Sequence, residues 1–561
     1  MSLTCRRRVA AATAVLMAVL ADPAGQARAA TPPRLAVVIS IDQLRYDYLD
    51  RFGSVFSAGG FRRLREQGVD FRDCHYRHAF TKTAPGHAVI LGGVHADVHG
   101  IVGNEWIDRR TWQSVNAVED AAAPLVGATP RTHRSPGGVL EAKEGRSPRN
   151  FDTTTVGDEL KLRHGVNARV VSIDNKDRAA ILMGGRLADA VYWFDRGRFV
   201  TSTYYRAALP DWVERFNSEG RMERYFGQTW DRLLAPDLYE QLAGADAAEG
   251  EDPSFGLGRT FPRRIDGGKP EMGNDYLNAF PLTPFYSEML AEFAKVAVQA
   301  EQLGRHPATD LLCLGFSQID HTGHSFGPDS QEVMDALVRL DRIMADLLRF
   351  LDREVGAGDY IVVLTADHGV APLPERVKAM HRDIDCGRLD HASITRAVEQ
   401  ALNAAWGAPA APLYWVTRDA TGYHFRPETL QAKNITAPQA GAVVRAALRL
   451  RPEIAAAYTR EDFSTAAPLD QIGEMVRRSY NRERSPDVVY VLKPYWVDRA
   501  RAGTNHGSPY NYDTHVPLLW YGKGLKPAVH AEAVGVDDLA PTLSGLLGLP
   551  SPPQAMGRRL F

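Results

Sequence analysis

Five short runs in this chain carry apolar residues on both alternating faces, and they constrain the fold more than any other feature. They are Leu35-Ala36-Val37-Val38-Ile39-Ser40-Ile41, Arg169-Val170-Val171-Ser172-Ile173, Asp310-Leu311-Leu312-Cys313-Leu314-Gly315-Phe316, Tyr360-Ile361-Val362-Val363-Leu364-Thr365 and Val516-Pro517-Leu518-Leu519-Trp520-Tyr521. A strand apolar on both faces belongs inside a sheet covered from both sides, the usual setting of parallel strands. Helical patterns lie between the runs. One covers roughly Ser287 to Glu301, and a stronger one covers Gln331 to Asp352, where Val333, Leu337, Leu340, Ile343, Leu347 and Leu351 share a face. The alternation predicts an α/β fold: a doubly wound, mostly parallel central sheet with helices on both faces.

Two stretches break the rhythm. Residues from about Trp106 to Asp152 are polar and rich in Pro, Gly and Ala. Residues 372–484 combine a helical part (Ala392 to Trp406), short alternating strands near Tyr414 to Phe425, and a helix near Pro438 to Leu450. The second stretch reads as an inserted cap subdomain walling the site, which leaves 31–371 and 485–561 as the core. Gly256 to Asn274 reads as loop, and no internal repeat is evident.

The first 30 residues read as a secretory signal peptide. Arg6-Arg7-Arg8 precede an apolar run from Val9 to Leu20, and Ala27-Arg28-Ala29 offers a small-x-small cleavage site. The run is short for a bilayer span, so the expected destination is periplasmic or secreted, with no stable membrane anchor after cleavage. Removal of Cys5 leaves Cys74, Cys313 and Cys386, enough for at most one disulfide. A formal net charge of −2 without long like-charge runs excludes the basic footprint of a nucleic-acid binder.

Ionisable residues gather where the apolar runs end. Asp42 closes the first run; Asp320 and His324 follow the third in Asp320-His321-Thr322-Gly323-His324; Asp367 and His368 follow the fourth; His506 precedes the last. Open α/β sheets bind ligands in the crevice beyond the carboxyl ends of their strands, so these residues can meet there. Carboxylates and imidazoles without thiolates suit zinc or a similar first-row dication. A nucleophile candidate sits in Thr81-Lys82-Thr83-Ala84-Pro85-Gly86-His87-Ala88, a loop leading into a helix whose free backbone amides can receive an anion. With Thr83 included, seven metal-ligand candidates exceed one tetrahedral site and match two cations, an arrangement that can hold both the attacking and the leaving oxygen of a phosphoryl displacement.

The wording of these motifs resembles the alkaline phosphatase superfamily, and within it the phosphate-irrepressible, PafA-type enzymes with a threonine nucleophile. The matching stretches are Ser40-Ile41-Asp42-Gln43, Thr83-Ala84-Pro85-Gly86-His87, Gly100-Ile101-Val102-Gly103-Asn104-Glu105-Trp106 and Lys176-Asp177-Arg178. They continue through Asp320-His321-Thr322-Gly323-His324, Thr365-Ala366-Asp367-His368-Gly369 and His506-Gly507, ending at Asp538-Leu539-Ala540-Pro541-Thr542-Leu543. The resemblance implies two Zn2+ per chain, one held by Asp320, His324 and His506, the other by Asp42, Asp367 and His368, with Thr83 bridging toward the phosphoryl group. It implies that Asn104, Lys176 and Arg178 hold the non-bridging phosphoryl oxygens, a clamp suited to the dianion of a monoester. One departure is Arg186, where relatives lead us to expect histidine. Lys82, His87 and His321 are placed outside the ligand set.

The expected function is therefore a zinc-dependent alkaline phosphatase that hydrolyses phosphate monoesters, over a broad range of small molecules, through a phosphothreonine intermediate. The resemblance implies a monomer. The nearest alternative is a nucleotide pyrophosphatase/phosphodiesterase with the same metals. A sulfatase fits less well, because threonine cannot give formylglycine. A non-catalytic periplasmic protein binding metal or phosphate is the alternative from another class.

Overall fold

The computed structural model describes residues 32–561 apart from 130, 131, 136, 137, 142, 143, 254 and 466, so the expected signal peptide lies outside the described residues. An eleven-stranded sheet runs through the molecule. From one edge its strands are Ala528–Gly535, Val69–His75, Leu518–Gly522, Tyr360–Thr365, Leu35–Ile41, Asp310–Phe316, Val170–Asp174, Ala190–Asp195, Arg198–Ser202, Glu119–Val126 and Gly145–Arg146. The five strands from Tyr360–Thr365 to Ala190–Asp195 are parallel. Leu35–Ile41 is completely buried and lies between its two partners, as its double-faced apolar pattern demands.

Register brings the site together. Ile41 pairs with Phe316, and Ser40 pairs with both Gly315 and Thr365, so the three strands end level. The residues that follow, Asp42, Ser317 to Asp320, and Asp367 to His368, therefore emerge at one edge of the sheet. Helix Gln331–Leu351 matches its predicted span, and Phe285–Ala300 lies close to the expected Ser287 to Glu301. The Ser330 hydroxyl caps the longer helix by accepting from Val333 N–H at 3.2 Å.

Three stretches differ from what their composition suggested. Leu518–Gly522 runs antiparallel to both of its neighbours. A buried apolar run has no marker of direction, so orientation was not readable there. In the polar stretch after Trp106, Glu119–Val126 and Gly145–Arg146 extend the main sheet, although Ala121-Ala122-Ala123-Pro124 has little strand propensity. Inside the expected 256–274 loop, Arg263–Arg264 pairs with Thr229–Trp230.

Residues from 391 onward form a smaller four-stranded antiparallel sheet in the order Val416–Arg418, Gly422–Phe425, Val488–Leu492, Ile454–Thr459. Helices His391–Trp406 and Ala437–Arg449 cover it, and Ile394, Val398, Tyr423, Val444 and Val488 form an apolar cluster of its own. Cys74, Cys313 and Cys386 are buried and unpaired. No helix among the described residues is long and apolar enough to cross a membrane.

Candidate active site

Thr83 is the first residue of helix Thr83–Gly92, and Lys82 before it is extended (φ −115°, ψ 159°). Pro85 falls in the first turn, where a missing N–H costs nothing. The expectation that helix amides receive an anion is largely corrected here. Ala84 N–H donates to Asn104 Oδ1 at 2.8 Å, Pro85 has no N–H, and Gly86 N–H donates to Lys82 O at 2.9 Å. Of the first turn, only the Thr83 amide is left for a ligand. Gly86 permits the helix to approach the site, because a Cβ there would lie 2.2 Å from Asp367 O.

The cluster beside Thr83 is fully assembled. His368 Nε2 lies 3.5 Å from Thr83 Oγ1, 3.4 Å from Asp42 Oδ1 and 3.2 Å from Asp367 Oδ2. His324 Nε2 and His506 Nε2 approach the same atom, Asp320 Oδ1, at 3.2 and 3.7 Å. Asp42, Asp367 and His368 offer one set of ligand atoms close enough to share an ion, and Asp320, His368 and His506 offer another. The second set puts His368 where His324 was expected, and the rings of His368 and His506 stack at 3.5 Å.

These residues fit divalent cations for a reason visible in their hydrogen bonds. His324, His368 and His506 each place Nδ1 within 2.7–2.9 Å of a backbone carbonyl, that of Thr504, Gly369 and Thr81 respectively. A carbonyl cannot donate, so each Nδ1 carries a proton and Nε2 is the ring atom turned toward the carboxylates. Burial pushes His368 down to about 4 and His506 well below the ordinary histidine range, so neither ring takes a second proton. Asp42 Oδ1 and Asp367 Oδ2 are buried without a hydrogen-bond partner. Lone pairs facing lone pairs in a buried space call for a cation.

Lys176 supplies the positive charge in this structure, its Nζ lying 2.6 Å from both Asp42 Oδ2 and Asp320 Oδ2. Burial alone would lower this ammonium; Asp320 and Asp42 outweigh that and hold it above the ordinary lysine range. Two buried carboxylates thus share one ammonium. Burial pushes Asp367 well up, with Asp42 adding to it, while His324 and Lys176 overcome the burial of Asp320 and hold it well down. Arg178 does not join the cluster directly: its guanidinium lies 3.8 Å from Asp177, and its Nε is buried without a partner. Arg186 is also outside, with its backbone N–H on Asp158 Oδ1 at 2.8 Å.

Several residues hold the cluster in place; His87 was expected to support the site without joining the ligands, whereas the parts played by Gln43, Lys82 and Ser508 were not recognised in the sequence. Gln43, at φ +70°, donates its side-chain amide to Asp320 Oδ1 at 2.6 Å and its backbone N–H to Asp367 Oδ1 at 3.1 Å, tying the two ligand sets together. Lys82 Nζ donates to His506 O at 2.8 Å, and Thr81 and Ser508 exchange two hydrogen bonds at 3.1 Å. The nucleophile loop is thereby laced to the loop carrying His506. His87, fully buried and pushed by burial to about 4, places Nδ1 2.9 Å from Thr83 O and 3.3 Å from Asp367 Oδ2. The marker for Gln43 is a positive φ and for the histidine anchors a backbone carbonyl, and neither is visible in residue type.

Fold and cluster define a class: an α/β protein with candidate divalent-cation sites at the carboxyl edge of its sheet, beside a threonine hydroxyl. A family model described as type I phosphodiesterase / nucleotide pyrophosphatase matches residues 36–515. The chain belongs to this family, within the alkaline phosphatase superfamily. A Myroides odoratus protein named calcium-transporting ATPase is 32% identical over 93% of this chain and 92% of its own. The alkaline phosphatase PafA of Elizabethkingia meningoseptica is 31% identical over 94% of this chain and 93% of its own. A crystal structure of wild-type PafA superposes with a TM-score of 0.85 at 30% identity, covering 94% of this chain and 98% of that one.

Proposed function

We infer that the chain is a phosphoric monoester hydrolase of the alkaline phosphatase kind, and we propose that it works with two zinc ions and Thr83 as nucleophile. The observation that carries this reading is the convergence of three histidine Nε2 atoms on buried carboxylate oxygens around the Thr83 hydroxyl. Asp42, Asp367 and His368 would hold one cation, with Thr83 bridging toward the substrate, and Asp320, His324 and His506 the other. When bound, such cations lower the pKa of a hydroxyl and stabilise a departing alkoxide.

The chain's own residues supply the rest. Thr83 Oγ1 attacks phosphorus in line, and the alcohol leaves from the opposite side. Asn104, its Oδ1 spent on the Ala84 amide, turns its Nδ2 toward a non-bridging oxygen. Lys176 trades its two carboxylates for a phosphoryl oxygen, and Arg178 contributes a second positive charge. Water then cleaves the phosphothreonine and releases inorganic phosphate. Two cationic side chains match the two charges on a monoester, whereas a diester carries one and leaves part of the clamp unmatched.

The test is Lys176→Ala combined with Arg178→Ala. Each lost charge-assisted hydrogen bond is worth about 10- to 100-fold, so monoesterase kcat/KM should fall by about 1,000-fold and diesterase far less. Equal losses would sink the clamp. The family's name favours one rival, a nucleotide pyrophosphatase/phosphodiesterase, which requires the wild-type protein to turn over a diester faster than a monoester. We also read residues 1–30 as a cleaved export signal, residues 372–484 as a cap that strand Val488–Leu492 completes by pairing inside its sheet, and the mature protein as a periplasmic or secreted monomer.

A further inference from the structure

Strand Val69–His75 carries a second group of metal-binding side chains, separate from the Thr83 cluster. Asp73 and His75 are two residues apart and project from one face of the strand, the face opposite buried Cys74. His515 is the antiparallel cross-strand partner of His75. Tyr76 N–H donates to Thr514 O and Val516 N–H to Cys74 O, both at 3.0 Å, so the two histidines form the non-hydrogen-bonded kind of pair, in which side chains come closest. Their rings stack at 4.6 Å, and one ligand atom from each of Asp73, His75 and His515 falls within 4.8 Å of the other two.

We propose that Asp73, His75 and His515 form a further, structural cation site that takes zinc or a similar first-row dication and ties the strand leading to Thr83 to the segment carrying His506. Two imidazoles and a carboxylate suit such an ion better than calcium, which prefers oxygen ligands alone. His515 Nε2 lies 2.8 Å from Arg72 O; a carbonyl cannot donate, so Nε2 carries a proton and Nδ1 is the atom left for an ion. Tyr46 also stacks on this ring, at 4.8 Å, and holds it in place. His75 Nδ1 lies 3.1 Å from Thr514 Oγ1 and its Nε2 lies 3.0 Å from Asp73 Oδ1. A hydroxyl can both give and take, so Thr514 can accept the Nδ1 proton and leave Nε2 to share an ion with Asp73. An oxygen on the second nitrogen of each ring is the usual outer support of a metal-bound histidine. The ion replaces the His75–Asp73 hydrogen bond, and His75 turns out of the stack to face it; at 27% and 46% exposed, the side chains of His75 and Asp73 have room to move. His515 ends the segment that begins at His506, in which Gly507 and Ser508 N–H donate to Asp513 Oδ2 at 2.9 and 2.8 Å. An ion here therefore clamps the chain behind both Thr83 and His506.

The experiment titrates zinc, in a calorimeter, into protein that has been loaded with zinc and then dialysed. With three ligands and partial exposure, this site holds its ion less tightly than the buried clusters and releases it on dialysis. Wild type should then take up about one equivalent more than Asp73→Ala or His515→Ala. Excess zinc should also raise the thermal midpoint of wild type more than that of either variant. Asp73 is half-exposed, so Asp73→Ala serves if His515→Ala does not fold. Equal uptake by wild type and a folded variant, or an equal rise in midpoint, overturns the proposal. All three proteins keep the same residues around Thr83, so the difference between them does not depend on how that cluster fills.

Discussion

Gln43→Leu removes the two hydrogen bonds from the Gln43 side-chain amide to Asp320, to Oδ1 at 2.6 Å and to the backbone O at 3.4 Å, and leaves every proposed ligand in place. The side-chain amide of Gln43 holds Asp320 Oδ1 at 2.6 Å, the atom on which His324 and His506 converge. A hydrogen bond to a charged acceptor is worth about 1.5–3 kcal/mol. At about 1.4 kcal/mol per tenfold change, affinity at the Asp320 site should fall about 10- to 100-fold, the usual range for losing an outer-shell partner of a ligand. The bond to Asp367 comes from the Gln43 backbone and survives the substitution, so the Asp42 site should keep its affinity. Zinc competition against a chromogenic chelator should therefore resolve two classes of site, of which only one is weakened. Gln43→Gly gives an internal control: it loses the same bonds but relieves a left-handed residue (φ +70°), for about 1 kcal/mol of stability. If both sites weaken together, or if zinc affinity follows thermal stability across the two variants, Gln43 does not orient Asp320 as argued.

Two further outcomes follow from the buried groups behind the site. His87 acts through Nδ1 on Thr83 O and Asp367, so His87→Asn, whose amide nitrogen occupies a similar place, should keep turnover within a few fold, while His87→Gln should lose about tenfold; equal turnover in the two variants would refute that role. Burial raises the Asp174 carboxyl from the ordinary 3.8 to about 7, so the native state binds more protons than the unfolded state between those values. The Asp174 contribution to the stability of the chelator-stripped protein should then fall as pH rises from about 4 to 7, by up to about 4 kcal/mol. Asp174→Asn should flatten that slope in denaturant titrations, and an unchanged slope would contradict it.

The fold was legible in the sequence where burial is two-sided. Leu35–Ile41, Asp310–Phe316 and Tyr360–Thr365 carry their positions in their composition, and the acids and histidines just past them mark the sheet edge. That is why Asp42, Asp320, Asp367 and His368 could be expected to meet before any coordinates. What was not legible has physical causes. The reversal at Leu518–Gly522 depends on chain connection, which an apolar run does not encode. The helix amides looked available because sequence cannot show Asn104 reaching back to Ala84. The alternation among Ala121 to Pro124 was too weak to announce a strand that the neighbouring Arg198–Ser202 stabilises by pairing.

Covalent capture of the phosphoryl group tests the central claim most directly. Metal-replete protein mixed with a monoester and quenched in acid within milliseconds should show one added phosphoryl group, mapped by peptide mass spectrometry to Thr83, and Thr83→Val should show neither the adduct nor turnover. Turnover that survives in Thr83→Val, or an adduct on any other residue, would contradict the account.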